Sequence, residues 1–227
     1  MRRFGVIMSI ASTQPVRQNA KARRRGGFTL IESLLAMVVV GIGVLAFVDA
    51  QGAFTRSNDW SSKSATGMLL ANEIREMTRK LNRHDPVTGL STTGGWGQEG
   101  GETTILDIDD LDDLDGMTFG NGGTFEGPIN SFRQVVTEIN NDGSVMLDNG
   151  GDPMPLEGWM QRIIVEKVDP YNFLLVRSDT YAQPASATLP AIDADDFPLR
   201  VTVIVSYQGI DDTEAREITS VSWIVPR

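Results

Sequence analysis

The sequence contains no cysteine and only one histidine, His84, among its 227 residues. Without thiols the chain cannot form a disulfide, a redox dithiol or a cysteine-ligated zinc site, so its stability must rest on a packed core. A Ser-His-Asp triad would have to use His84, which stands in a polar stretch just before Pro86. We interpret His84 as an exposed structural residue. The sequence offers no catalytic constellation, and we expect that the chain is not an enzyme.

Basic residues are scarce outside the first 27 positions. Residues 1–27 hold seven of the twenty Lys and Arg and no Asp or Glu. The rest of the chain therefore carries thirteen basic and thirty acidic side chains, a formal charge of −17. A surface this acidic repels nucleic acid and anionic lipid. We expect no nucleic acid partner.

Polar residues are scarce between positions 28 and 48. Only Thr29, Glu32 and Ser33 are polar in this stretch of 21 residues. A helix of about 20 apolar residues is long enough to cross a hydrocarbon core about 30 Å thick. The basic residues before it favour a cytoplasmic N-terminal side, which places the chain after Asp49 on the outer side. The pattern predicts a single membrane-spanning segment.

Glu32 is the exception within this apolar segment. An ionised side chain at the centre of a membrane helix costs about 2.5–3.5 kcal/mol on insertion scales. The helix offers no cation four residues later, where Ala36 stands. The compensating positive charge is therefore expected from the chain terminus or from another subunit.

The string RRRGGFTLIESLLAMVVVGIGVLAF at residues 23–47 resembles the N-terminus of type IV prepilins and type II secretion pseudopilins. The resemblance implies that a prepilin peptidase cleaves after Gly27 and that the new N-terminal residue, Phe28, is N-methylated. It also implies an assembly role for Glu32, the fifth mature residue, which would neutralise the amine of Phe28 in a neighbouring subunit. The Gly-rich residues 41–46 are most similar to V-type minor pilins and I-type pseudopilins.

The function implied by the resemblance is structural. The chain would be a subunit, of the minor kind, of a type IV pilus or a type II secretion pseudopilus. Its expected partners are the prepilin peptidase, other pilin or pseudopilin subunits and an inner-membrane assembly platform. It would sit in the inner membrane as a single-pass protein with a periplasmic C-terminal head, and then enter a helical filament.

Four other interpretations remain open. Residues 48–50 could form a signal peptidase site, and the apolar segment could be a plain signal anchor, although neither explains Gly27 and Glu32. The chain could instead be an anchored or secreted surface-binding domain with adhesive function. It could also be a DNA-uptake pseudopilin, which the acidic body disfavours.

The predicted fold is α+β and pilin-like, with a long N-terminal helix packed on an antiparallel sheet. No proline occurs between Pro15 and Pro86, so one helix can run from Phe28 to about Leu81. The predicted organisation is a leader at 1–27, a membrane and filament stem at 28–48, an amphipathic second half at 49–84, and a β-rich head at 85–227. An apolar stripe on the second half is predicted to face the sheet: Trp60, Met68, Ala71, Ile74, Met77 and Leu81.

Three hairpins are predicted in the head. The first pairs residues 132–139 with 144–147 across an Asn-Asn-Asp-Gly turn. The second pairs 160–168 with 172–177, and the third pairs 199–207 with 214–225. In residues 199–207 apolar and mixed positions alternate, which predicts one buried face.

Residues 87–130 are predicted to be a long loop that contains six aspartates between positions 107 and 115. Such a string suggests a calcium site, for which Asp109, Asp113 and Asp115 are the candidates, although the EF-hand spacing is not met. The competing interpretation is a solvated acidic loop whose apolar residues reach the core: Ile105, Ile108, Leu111 and Leu114. Apart from calcium, no cofactor is expected.

Overall fold

A computed structural model describes residues 27–90, 95–102 and 104–227. The chain divides into two compact units, Met1–Ala53 and Phe54–Arg227. Helix α1 (Leu30–Thr78) contributes to both units, and five antiparallel strands follow it in the second. This is the predicted α+β, pilin-like arrangement. The predicted leader, residues 1–27, lies outside the described residues except for Gly27.

The sheet of the second unit contains five strands: β1 (Thr118–Gly120), β2 (Trp159–Asp169), β3 (Asn172–Val176), β4 (Leu199–Tyr207) and β5 (Arg216–Val225). Their order is β1-β2-β4-β5, and β3 pairs with the end of β2. The second and third predicted hairpins are thus confirmed as β2–β3 and β4–β5. In β4 the side chains of Leu199, Val201, Val203 and Val205 are fully buried, as the alternation predicts.

The last three turns of α1 pack against one face of this sheet. Residues Gly67, Leu70, Ala71, Ile74, Met77 and Thr78 are buried, and their spacing follows one helical stripe. The prediction for Ala71, Ile74 and Met77 is confirmed. It was wrong for Met68 and Trp60, which are 47% and 42% exposed. Gly67 faces the sheet, because it lies against Ile218 of β5. Met68 is rotated from it by about 100° around the helix axis and therefore points away from Ile218.

Helix α1 ends at Thr78, earlier than the predicted stop at residues 81–84. The Thr78 hydroxyl donates to the Arg75 carbonyl oxygen at 2.9 Å, and the next turn tightens into i to i−3 hydrogen bonds. The chain then turns inward, so His84 is 7% exposed. The predicted exposure of His84 was therefore wrong. Its Nδ1 lies 3.2 Å from Asp112 Oδ1, and its ring lies 5.8 Å from that of Trp96.

The first predicted hairpin differs from the other two. Its turn is present, because Asn140 N–H donates to Ser144 C=O at 2.8 Å. Its flanks form isolated bridges instead of the predicted continuous strands. Glu138, Met146 and Met154 are joined in a ring: Met146 N–H donates to Glu138 C=O, Met154 N–H to Met146 C=O, and Glu138 N–H to Met154 C=O, each at 2.9 Å. Three segments therefore share the hydrogen bonds that a hairpin would give to two.

Gln161 is a buried polar residue of β2 that joins three elements of the second unit. Its Nε2 donates to the carbonyl oxygens of Leu70 in α1 and Ile129 at 2.9 and 3.1 Å. Its Oε1 accepts from Ile129 N–H at 2.8 Å. The side chain is fully buried, so no water can replace these partners. Gln161 therefore holds the segment around Ile129 against both the helix and the sheet.

We expect Gln161→Leu to lower the free energy of unfolding by about 2–4 kcal/mol, because it leaves the Ile129 amide and carbonyl buried without partners. Thermal and denaturant unfolding of the full chain in detergent measures the change. Gln134→Leu, the same substitution at an exposed glutamine, is the control and should change stability by less than about 0.5 kcal/mol. Equal stability of the two variants would contradict the role assigned to Gln161.

Candidate functional site

The three residues of the predicted processing and assembly site lie at the beginning of α1. Gly27 and Phe28 precede the helix, in residues without assigned secondary structure, and Glu32 lies in its first turn. Phe28 is 82% exposed, and no atom lies within 4 Å of the position that a Cβ on Gly27 would take. The peptide bond between Gly27 and Phe28 is therefore open to a protease within the described chain.

Glu32 has a hydrogen-bond partner at the N-terminal end of its own helix, Thr29. Thr29 donates to Glu32 Oε2 from its backbone N–H at 3.0 Å and from its hydroxyl at 3.1 Å. Glu32 N–H donates back to the Thr29 hydroxyl oxygen at 3.3 Å. This is a capping box, in which the N-cap residue (Thr29) and the third residue of the helix (Glu32) satisfy each other's free amides. These local hydrogen bonds, which the Thr-x-x-Glu spacing indicates, were not predicted, and the external positive charge stays a prediction.

The capping box leaves the charge of Glu32 uncompensated. Hydroxyl and amide donors satisfy lone pairs of the carboxylate but bring no full positive charge. A carboxylate offers about four lone-pair sites, so one ammonium group can still bind. The box also holds the carboxylate at the helix N-terminus, where the partial positive charge of the helix favours it. The Glu32 carboxylate is therefore fixed at the N-terminal end of α1 by Thr29.

The helix after Glu32 presents an apolar surface on all sides. Every residue from Gly27 to Gln51 is exposed within the described chain. Helix α1 contains a window that is long and apolar enough to cross a membrane, by length and composition. A helix that is apolar all round must be covered by lipid or by other helices. This part of the chain fits a membrane-anchored pilin.

The acidic loop is the second candidate site, and its aspartates are not solvated as expected. Asp110, Asp112 and Asp113 are each 1% exposed. The neighbouring apolar residues are the cause: Ile108, Leu111 and Leu114 are all buried in the core of the second unit, as predicted. Because Leu111 N–H also donates to Asn82 C=O at 3.0 Å, the loop is held against the segment that follows α1. The aspartates are drawn inside with their apolar neighbours.

The candidate calcium residues divide between two places. Asp115 uses both oxygens locally, since Oδ1 accepts from Val165 N–H at 2.9 Å and Oδ2 from Trp96 Nε1 at 3.0 Å. It anchors the loop to β2. Asp109 and Asp113, in contrast, lie together with Asp110, each with a carboxylate oxygen within 4.8 Å of the others. Among the described residues, the acidic groupings of this loop do not include Asp115.

A second group around Asp113 was not predicted from the sequence. Glu99, Glu102 and Asp113 also place one carboxylate oxygen each within 4.8 Å of one another. The glutamates precede the aspartate string by several residues in a Gly-rich stretch, where spacing alone gave no signal. Glu99 N–H donates to Glu102 Oε2 at 2.9 Å, so a local turn brings the two side chains together. Asp113 belongs to both groups.

The carboxyl groups of this loop are in an environment that opposes negative charge. Burial raises the pKa of Asp110 to about 9 and that of Asp113 to about 7. Burial, followed by the nearby charge of Glu102, also raises the pKa of Glu99. Each shift has the same origin: ionised oxygens lose water and gain like-charged neighbours. A bound cation is one means of compensating such a cluster.

Comparison with known proteins bears on the N-terminal region. The family model of the prokaryotic N-terminal methylation motif matches residues 22–48. No curated protein and no solved structure matches the chain. The match covers Gly27, Phe28 and Glu32 together with the apolar segment that follows them. Residues 22–48 are therefore the prepilin motif of type IV pilins and pseudopilins.

Proposed function

We propose that this chain is a structural subunit, of the minor kind, of a type IV pilus or a type II secretion pseudopilus. A prepilin peptidase cleaves it after Gly27 and methylates Phe28, and the mature chain then joins a helical filament. The single observation that carries the proposal is the methylation motif at residues 22–48, placed directly on a helix whose apolar side chains are uncovered. That combination provides both a processing signal and a surface for assembly.

The charge distribution supports the membrane orientation in this proposal. The seven basic residues of segment 1–27 favour the cytoplasmic side of the inner membrane, where they can remain until cleavage. The second unit carries most of the acidic residues and would lie in the periplasm. The apolar helix between these regions serves as the anchor before assembly. An inner-membrane assembly platform would move it from lipid into the filament.

Packing of apolar helices would hold the subunits together. Leu34, Met37 and Leu45 are each more than half exposed in the isolated chain and need a cover in the filament as they do in lipid. The glycines at positions 41 and 43 have open space around them, so a neighbouring helix can approach closely there. The exchange of lipid for neighbouring stems keeps these surfaces away from water throughout assembly.

Glu32 would set the register of neighbouring stems. Cleavage creates an ammonium group at Phe28, and an isolated charge in an apolar bundle is strongly unfavourable. Pairing that amine with Glu32 of the next subunit neutralises both charges at one defined axial offset. The capping box supports this role because it orients the carboxylate without occupying all of its lone pairs.

We expect Gly27→Val to block processing and leave the leader attached. The described chain has room for the added side chain, so the loss would reflect recognition by the peptidase. Gel mobility of the membrane fraction, in a host that carries a prepilin peptidase, separates the two forms. Gly41→Val is the matched control at another open glycine and should be processed normally. Normal cleavage of Gly27→Val would contradict the assigned site.

We expect Glu32→Gln to be processed normally but to be lost from filaments. The glutamine amide oxygen can still accept from Thr29, so the cap survives and only the charge is removed. Loss of one partner of a buried ion pair costs about 3–5 kcal/mol, which corresponds to at least about a hundredfold lower incorporation. Immunoblots of sheared filaments and of membranes measure the ratio.

The matched control for Glu32→Gln is Ser33→Ala, which removes a neighbouring polar group that carries no charge. The Ser33 hydroxyl donates only to the Thr29 carbonyl oxygen of its own helix, at 3.4 Å. This variant should assemble as the unchanged protein does. Full incorporation of Glu32→Gln would show that the carboxylate serves the cap alone, and the register role would be abandoned.

A further inference from the structure

Asp113 is a buried carboxylate, and one of its two oxygens has no hydrogen-bond donor within the described chain. Its Oδ2 accepts the amides of Asp109 and Asp110 at 3.2 and 3.5 Å. Its Oδ1 accepts from no N–H or hydroxyl donor among residues 27–90, 95–102 and 104–227, and the Glu102 carboxyl is a neighbour of the Asp113 side chain. The residue is 1% exposed, so it has little contact with bulk water. A buried anionic oxygen without a partner is strongly unfavourable, and in native proteins such groups are paired or coordinate metal ions.

The free oxygen belongs to a converging group. Glu99 and Glu102 each place a carboxylate oxygen within 4.8 Å of one from Asp113. Glu99 Oε2 is also buried and has no hydrogen-bond partner within the described part of the chain. Two buried carboxyl oxygens without donors at one place are unfavourable when they are ionised, because each repels the other. The three carboxylate oxygens are therefore close enough together to serve as ligands of one cation.

No ion pair of the described chain involves this group. The ion pairs formed by its Lys and Arg side chains do not include Glu99, Glu102, Asp110 or Asp113. The neighbouring His84 lies against Asp112, outside the group. The cluster is reachable from solvent, since Glu102 and Asp113 line an open cavity of about 450 Å³ that is shared with Gln98 and Thr124. An ion therefore has an entry path.

We propose that Glu99, Glu102 and Asp113 bind a calcium ion. The donors are oxygens only, which suits a hard cation and not zinc or copper. Calcium accepts six to eight ligands in irregular geometry, whereas magnesium requires a near-ideal octahedron. Carboxylates from a Gly-rich loop segment and from a short 3-10 helix (Asp112–Leu114) fit the less demanding ion. The ion would fasten residues 95–102 to the loop that is anchored in the core.

This inference does not depend on the filament role, and its test uses calcium chloride and the full chain in detergent. We expect binding in the range of about 0.1–1 mM that is typical of extracellular calcium modules. Calcium at tenfold above the dissociation constant should raise the Tm by about 3–6 °C. Absence of binding by isothermal titration at about 10 mM, ten times the weak end of that range, would overturn the proposal.

Asp113→Asn and Glu99→Gln should each weaken calcium binding by at least about tenfold, because affinity follows the number of charged ligands. Without calcium, in chelator, Asp113→Asn should be at least as stable as the unchanged chain, since it removes an uncompensated buried charge. With calcium the order should reverse. Asp142→Asn, which removes the same charge from an exposed turn, is the control and should bind calcium normally.

This crossover separates a ligand from a structural residue. If Asp113→Asn lowers the Tm equally with and without calcium, and Glu99→Gln binds calcium normally, the proposed ligands are wrong. Terbium provides a local readout, because Trp96 lies three residues before Glu99 and can sensitise its emission. Calcium should displace terbium, and Trp96→Phe should abolish the sensitised emission. Unchanged terbium emission from Trp96→Phe would place the ion elsewhere.

Discussion

The apolar residues 28–48 must be kept away from water, and this requirement determines how the N-terminal region of the protein can be placed. Their side chains are exposed in every direction within the chain, so the hydrophobic effect requires another apolar phase or another helix. In the proposed function, lipid would satisfy this requirement before assembly and neighbouring stems would satisfy it afterwards. Because both environments exclude water, the one ionisable group of the segment, Glu32, is constrained in both. The capping box with Thr29 supplies hydrogen-bond donors to the Glu32 carboxylate. Its negative charge can be neutralised only by a cation from outside the segment.

The second unit solves a different problem, which is how a cysteine-free chain fixes long loops. The part of α1 after Gly67 and strands β2 and β4 provide the core, and Gln161 ties a loop to both helix and sheet through three buried hydrogen bonds. The acidic loop is held by leucine and isoleucine side chains that pull their aspartate neighbours inside. Burial of those carboxyls is unfavourable unless a cation or a proton compensates them. The stability of this region is therefore linked to its ionic surroundings.

The features predicted correctly from the sequence are those with a short-range signal. The prepilin motif is contiguous, the alternation in β4 is regular, and the turns at 169–171 and 209–212 connect strands with their own pattern. The errors concern groups whose environment depends on distant residues. His84 is buried because α1 ends at Thr78 and the chain turns beneath Trp96, and neither event has a local signature. Glu99 and Glu102 join Asp113 across a gap in sequence, and residues 138, 146 and 154 share hydrogen bonds in a ring that two-stranded pairing rules do not anticipate.

The central claim is that the apolar helix becomes the N-terminus of the mature protein. Intact mass and N-terminal sequencing of the chain, recovered from the membranes of a host with a prepilin peptidase, test this most directly. The account predicts a mature chain that begins at Phe28 and carries one methyl group on its α-amine. A chain that begins at Gln51 would contradict it, because removal of a signal peptide would discard Glu32 and the whole stem. Helix α1 would then lose its apolar half, and no filament built on that stem could form.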